Sequence, residues 1–198
     1  MTYYTLSDPC TATLEIKKSQ FLGFGFAIDS REQLMFHVEQ LRNQYPDARH
    51  VCYGYIIGDP RNTTSAGFDD DGEPSGTAGK PILNVLQHKG IGNCVVIVVR
   101  YFGGIKLGAG GLTRAYSSSA QAVVDNMNLH AFVPLSVIMI ETDFANESFV
   151  RHTLDGFNAT ILKVDYGKNV VLTVEAAQKS VQVLSEKIGF YGTVRASE

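Results

Sequence analysis

Within residues 98–116, "VVRYFGGIKLGAGGLTRAY", five glycines fall in nine positions and three cationic side chains, Arg100, Lys106 and Arg114, are interleaved with them. Glycine lets a backbone take positive φ or come close to another group. A helix opening near Gly111 would turn its first free N–H groups back into such a loop and create an anion site. Phosphate or a nucleic-acid backbone is the chemistry this favours, with Gly103, Gly104, Gly110 and Gly111 in the loop and Lys80 and Arg49 as further cations. Tyr101 or Phe102 could stack on a base. The same glycines also suit a sharp strand-to-helix crossover, and spacing alone does not choose. Alternation of faces along a strand requires at least one of Tyr101 and Phe102 to be buried.

A second stretch, "GFDDDGEPSGTAGKP" at residues 67–81, gathers Asp69, Asp70, Asp71 and Glu73. Carboxylates of this kind could hold Mg²⁺, which prefers oxygen ligands; they equally describe a solvated loop, and their spacing is not that of a calcium-binding hand. If Arg100 were buried, its guanidinium would need a carboxylate, and a pairing with one of Asp69 to Asp71 would make both stretches scaffolding. Standard nucleotide motifs do not fit. "GAGGLT" has Thr113 where the dinucleotide pattern ends in glycine, and "GTAGKP" is too short for a P-loop and places Pro81 where a magnesium-binding hydroxyl belongs. His50 opens a strand with no nucleophile assignable beside it, and no two of the five histidines have the spacing of a zinc-binding helix.

These residues must be positioned by regular elements. Strands are expected at residues 11–16, 21–28 and 51–57. Between the last two lies a helix capped by Ser30, with Gln33 completing a capping box and Leu34, Val38 and Leu41 on one face. Residues 59–79 read as a long polar loop. Pro81 then suits the first turn of a helix ended by Gly90. "CVVIVV", residues 94–99, is apolar throughout and predicts a strand covered on both faces; a helix follows from about residue 111 to 128. The pattern restarts near Pro134, dividing the chain into 1–132 and 133–198. The second part reads strand (135–142), helix (147–155, Asn146 cap, Gly156 stop), strands (160–165 and 170–175), helix (176–187) and strand (191–196), the ferredoxin-like βαββαβ order. The fold class is α+β in two domains.

Of the 198 residues, 44% are hydrophobic and 19% charged, which places the chain among soluble globular proteins. A net charge of −3 argues against indiscriminate coating of polyanions, although a local basic patch would still act within a screening length of ~8 to 10 Å. The N-terminus lacks a signal-peptide pattern and no apolar run reaches the ~18 residues of a membrane span, so a cytoplasmic protein is expected. Cys10, Cys52 and Cys94 fit neither a disulfide framework nor a metal site and read as buried reduced thiols.

"DARH" (47–50), "FDDDGEPSGTAGKP" (68–81) and the glycine-rich stretch together resemble the IMPACT family in its bacterial branch, and residues beyond Pro134 look like the second domain that accompanies it there. The resemblance implies a first domain similar in fold to domain IV of elongation factor G and to the GHMP kinases, whose glycine-serine phosphate loop "GGLTRAYSSSA" also resembles. It implies a second domain similar to domain V of that factor. RNA or ribosome binding follows as the expectation, with a translation-factor protein as a further partner. Eukaryotic members regulate translation during amino-acid starvation through an additional N-terminal interaction domain; here the similar segment starts almost at the first residue, so that mechanism is not carried over. The expectation is thus a non-enzymatic cytosolic protein that binds structured RNA or the ribosome and modulates translation without a cofactor. The alternative is a phosphate- or nucleotide-binding enzyme, or a small-molecule binder, with Mg²⁺ at the acidic loop. A third reading, a protein-interaction module, would use the sheet of the second domain.

Overall fold

Residues 94–99 have no polar face to turn to water, and the computed structural model, which describes residues 3–196, removes all six from solvent. Two compact units are present, divided between Phe132 and Val133. In chain order the first holds β1 (Tyr3–Leu6), β2 (Cys10–Ile16), β3 (Ser19–Ala27), α1 (Arg31–Gln44), β4 (His50–Asp59), β5 (Asn62–Asp69), α2 (Gly79–Lys89), β6 (Cys94–Tyr101), α3 (Ala109–Asp125) and β7 (Leu129–Phe132). Five strands make an antiparallel sheet of order β2-β3-β6-β4-β5. The apolar strand β6 is its centre.

Each face of that sheet carries its own core. Val95, Ile97 and Val99 pack with Leu34, Val38 and Leu41 of α1; Cys94, Val96 and Val98 face Ile82 and Leu86 of α2 and Leu112, Tyr116 and Val123 of α3. Burying a valine or isoleucine side chain contributes about 1.5–3 kcal/mol, so this strand, covered on both sides, does most of the work of holding the layers together. Helix α1 starts as its sequence dictates: Ser30 Oγ accepts from the Gln33 N–H at 3.3 Å. The return bond of the box is displaced by one residue, Gln33 Oε1 accepting from the Asp29 N–H at 3.0 Å.

Two sequence expectations are corrected in this unit. The polar loop expected at 59–79 is in part an edge strand, because β5 pairs with β4 through Asp69 opposite Tyr53. Its half-buried positions are Thr63, Ser65 and Gly67, small residues that give no apolar alternation. Helix α3 opens at Ala109, two residues ahead of Gly111, and ends at Asp125 rather than near residue 128. In addition, β1 and β7, which contain no apolar run to mark them, form a two-stranded antiparallel ribbon with the Tyr3 and Phe132 rings stacked at 4.8 Å.

The second unit runs β8 (Leu135–Thr142), α4 (Glu147–Asp155), β9 (Thr160–Tyr166), β10 (Val170–Ala177), a 3-10 turn at Gln178–Ser180, α5 (Val181–Ile188) and β11 (Gly192–Ala196). Its sheet is antiparallel with order β11-β8-β10-β9, the ferredoxin-like arrangement. Ile138, Ile140 and Leu172 meet Val150 and Leu154 of α4 and Leu184 and Ile188 of α5. Leu135, Val137 and Met139 of β8 remain exposed. Residues 176 and 177, read as the start of the last helix, finish β10 instead. Among the described residues no helix is long and apolar enough to cross a membrane.

Candidate functional site

At the C-terminal end of β6 the central strand delivers Arg100 between two neighbours, Phe21 of β3 on one side and His50 of β4 on the other. Being central, the strand takes its arginine indoors: Arg100 is only 5% exposed. Its Nη1 donates to Glu73 Oε1 in an ion pair, and its Nη2 lies 3.5 Å from Ser19 Oγ. The guanidinium sits against the Phe21 ring (5.4 Å) and the Phe102 ring (5.7 Å), contacts that suit a flat, weakly hydrated cation. One buried donor, Nε, has no hydrogen-bond partner among the described residues.

Glu73 is anchored from a second side, because the Tyr116 hydroxyl of α3 donates to the same Oε1 at 2.8 Å. Cys52 Sγ lies 3.4 Å from that hydroxyl and 3.0 Å from the Asp70 carbonyl oxygen. Burial, followed by the neighbouring carboxylates, pushes the Cys52 thiol far up. Burial likewise raises Tyr116, with Cys52 and Glu73 adding to it. Both therefore stay protonated at neutral pH and act as donors, not as nucleophiles. Cys94 is buried as well, and Cys10 is partly so.

Above this floor opens a cleft of about 310 Å³, lined by Arg49, His50, Glu73, Pro74, Arg100, Phe102, Lys106, Leu107, Gly108, Ala109 and Leu112. His50 Nδ1 lies 2.8 Å from the Asp71 carbonyl oxygen; since a carbonyl only accepts, Nδ1 carries a proton. The far wall is the start of α3. Gly108 takes φ +72° as its N-cap and has no side chain to offer the helix, and no acidic residue stands in the first turn. Leu112 N–H is the first to close a helical bond, to the Gly108 carbonyl at 2.9 Å. The N–H groups of Ala109, Gly110 and Gly111 are therefore free donors.

The sequence-predicted residues separate into distinct roles. Arg100 is corrected: it is not an exposed phosphate contact, since β6 is central and Glu73 neutralises it. Its partner is Glu73, not one of Asp69 to Asp71. Arg49 and Lys106 are exposed and line the cleft. Arg114 is exposed one turn into α3; an added Cβ on Gly110 would lie 3.6 Å from its Nη1, so the guanidinium reaches back over the first turn. Lys80 is exposed in the first turn of α2 and does not line the cleft. Tyr101 is half-buried against the α1 core, whereas Phe102 is 51% exposed at the cleft. Gly103 is steric scaffolding, for a Cβ there would fall 2.0 Å from the Lys18 carbonyl carbon. Gly104 takes φ +85° in the crossover, and Gly110 and Gly111 belong to the helix itself.

The carboxylates of the acidic loop are engaged by donors of the protein itself. Asp70 Oδ1 accepts from the N–H groups of Ala78 (3.0 Å) and Gly79 (2.8 Å), and Oδ2 from Gly76 (2.7 Å). It thereby caps α2 from nine residues away. Asp71 pairs with Arg42 at 2.7 Å and accepts from the Val51 N–H at 2.6 Å; Asp69 accepts from the Asp71 N–H at 2.7 Å. Each of the four carboxylates accepts from donors of its own, and no group of three or more His, Cys, Asp or Glu among the described residues is placed to hold a metal ion. Sequence reasoning missed Ser19, Leu107 and Tyr116; Gly108, one of the five glycines of the stretch, is the residue directly before the helix.

The Impact N-terminal domain model matches residues 17–124, a span that contains the whole of this cleft. The chain belongs to the IMPACT family. It is 36% identical to the IMPACT family member YigZ of Escherichia coli over 91% of this chain and 88% of that protein. With YvyE of Bacillus subtilis it shares 29% identity over 93% of its own length and 84% of the relative's. A crystal structure described only as that of a hypothetical protein, 33% identical, aligns over 100% of this chain and 98% of its own with a TM-score of 0.72. The similarity to these IMPACT relatives and to that structure extends through both units.

Proposed function

We propose that this IMPACT family protein binds structured RNA, on the ribosome or free of it, through the cleft at the start of α3, and modulates translation in the cytoplasm without catalysing a reaction. The single observation that carries this reading is an electrostatic one. A helix N-terminus favours negative charge nearby; α3 has no Asp or Glu in its first turn, while Arg49 and Lys106 line the same cleft as Gly108 and Ala109 and Arg114 reaches back over Gly110. Such an end is suited to take an anion. Phe102, half-exposed beside it, offers a ring on which a base can stack.

A non-enzymatic role is favoured because the thiol, the phenol and the carboxylates at and beneath the cleft are held by partners within the protein. Cys52 and Tyr116 are kept protonated, and Asp69, Asp70, Asp71 and Glu73 are bound to backbone amides or cations. Cosedimentation of the protein with ribosomes, and binding of a structured RNA across a salt series, test the reading. Association should fall steeply with salt and drop in Arg49→Ala and Lys106→Ala, each lost phosphate contact reducing the salt slope by about 1. Absence of any RNA or ribosome association at low salt would end it.

A further inference from the structure

A second cavity, of about 230 Å³, adjoins the cleft and is lined by Asp47, Arg49, Arg100, Tyr101 and Phe102. Arg49, Arg100 and Phe102 line both, so the two cavities share a wall. Its volume falls below the ~300 Å³ at which pockets for drug-sized ligands begin, and suits a single flat heterocycle. Tyr101 and Phe102 give it aromatic surface of the kind on which a base stacks. Of its charged groups Arg100 is neutralised by Glu73, which leaves Asp47 and Arg49. Both are exposed, and among the described residues neither is in an ion pair. The carboxylate is the informative one. It repels a phosphate backbone, so at an RNA-binding surface Asp47 is of use only to hydrogen-bond donors, and in a nucleotide the donors outside the sugar lie on base edges.

An ionised carboxylate accepts through two oxygens and donates nothing. Guanine alone among the four bases sets two N–H donors side by side, N1–H and the N2 amino group, on its Watson–Crick edge. Adenine and cytosine place one amino donor beside an acceptor nitrogen, and uracil flanks its one N–H with two carbonyls; each would turn an acceptor lone pair toward Asp47. From this we propose that the second cavity is a subsite for an unpaired guanine base of the bound RNA. The ring lies against Tyr101 and Phe102, Asp47 accepts from N1–H and the N2 amino group, and Arg49 and Lys106 take the adjoining phosphate on the side of the first cavity, which they line. The base must be unpaired, because duplex pairing would occupy the same edge. The proposal rests on the RNA-binding reading above.

The test measures binding of the full chain, by fluorescence anisotropy, to a short oligouridine carrying one central guanosine, inosine, adenosine or cytidine, and to the unsubstituted strand. Melting-temperature shifts with GMP and AMP are recorded alongside. The guanosine strand should bind at least ~10-fold tighter than the adenosine, cytidine and uridine strands, the scale of one bidentate base contact. Inosine, which lacks the N2 amino group, should lose most of that advantage. Asp47→Asn is the sharper variant. It should abolish the guanosine preference while the other strands bind as well as before or better, and the melting temperature should hold because Asp47 is exposed. If Asp47 acted only as a repelling charge, the variant would strengthen all strands alike and keep their ranking; that result overturns the proposal. Equal binding of the guanosine and inosine strands, or of all five, overturns it too and leaves RNA binding standing. Failure of every RNA to bind, with GMP but not AMP raising the melting temperature, removes the RNA reading and keeps the guanine site with a free nucleotide as its ligand. Failure of every RNA with an equal response to both nucleotides, or with none, overturns both.

Discussion

Glu73 and Arg100 form an ion pair whose side chains are only 4% and 6% exposed, at the point where the acidic loop meets the end of the central strand. A buried pair of this kind gains little net stability over apolar residues of similar shape, yet removing one member strands the other charge away from water. Arg100→Ala and Glu73→Ala are each expected to cost about 3–5 kcal/mol, and the combined Glu73→Gln, Arg100→Met replacement considerably less than their sum. Urea denaturation of the full cycle measures this.

Asp70 satisfies three backbone N–H groups ahead of and within the first turn of α2. Asp70→Ala should destabilise by about 2 kcal/mol, at the upper end of helix-cap losses because several donors are orphaned at once. Asp70→Asn, which keeps one acceptor oxygen, should lose less. Neither should respond to added Mg²⁺, which a metal-binding loop would; thermal melts with and without the ion decide.

The first unit carries its own pH dependence. The His37 ring is stacked on Phe26 at 4.1 Å, and burial lowers its pKa from the ordinary 6.5. The unfolded chain therefore takes up the proton first as pH falls. Stability from this site is fully present above about pH 6.5 and is lost as pH drops from there through the lower folded value. His37→Gln should flatten the melting temperature between pH 7.5 and 5.5. Asp59, held down to about 2 by the Arg61 side chain and N–H, acts in a separate window, its contribution present above 3.8 and lost only as pH approaches 2.

Two glycines four residues either side of Leu107 or nearer should respond in opposite directions to the same substitution. Gly103→Ala would drive its Cβ into the Lys18 backbone, 2.0 Å from the carbonyl carbon and 2.1 Å from the oxygen, and should cost about 3 kcal/mol or more. Gly110, in the first turn of α3 with 3.6 Å to the nearest neighbour, should gain about 0.5–1 kcal/mol as alanine. Circular dichroism melts of the two variants separate the glycine that shapes the crossover from the one that leaves room at the helix end.

What could be read in the chain beforehand follows from the range of the forces involved. Helix α1 was legible because its cap and its apolar face lie within one stretch of sequence, Ser30 to Leu41, and β6 because six apolar residues admit no exposed face. The βαββαβ order of the second unit was legible for the same local reasons. Strand β5 was not, since its inward residues are Thr63, Ser65 and Gly67 and it is held by backbone pairing to β4. The site was half legible. Glycines and cations near residue 106 marked a helix end, but Arg100 and Glu73 are 27 residues apart and Ser19 is 81 residues from Arg100. Which of the four carboxylates and five cations would pair was a matter of tertiary placement that no spacing rule contains.

The ribbon of β1 and β7 brings Tyr3 opposite Phe132, so the first unit is entered and left at the same place. A chain whose ends meet in this way behaves as a closed cassette: most of the entropy of holding its termini together is met by four paired residues on each strand. Such a body can be cut and rejoined elsewhere, or carried within a longer polypeptide, without disturbing the sheet. A circular permutant joined across residues 3 and 132 and opened at the Asp59–Asn62 turn would keep the cleft intact.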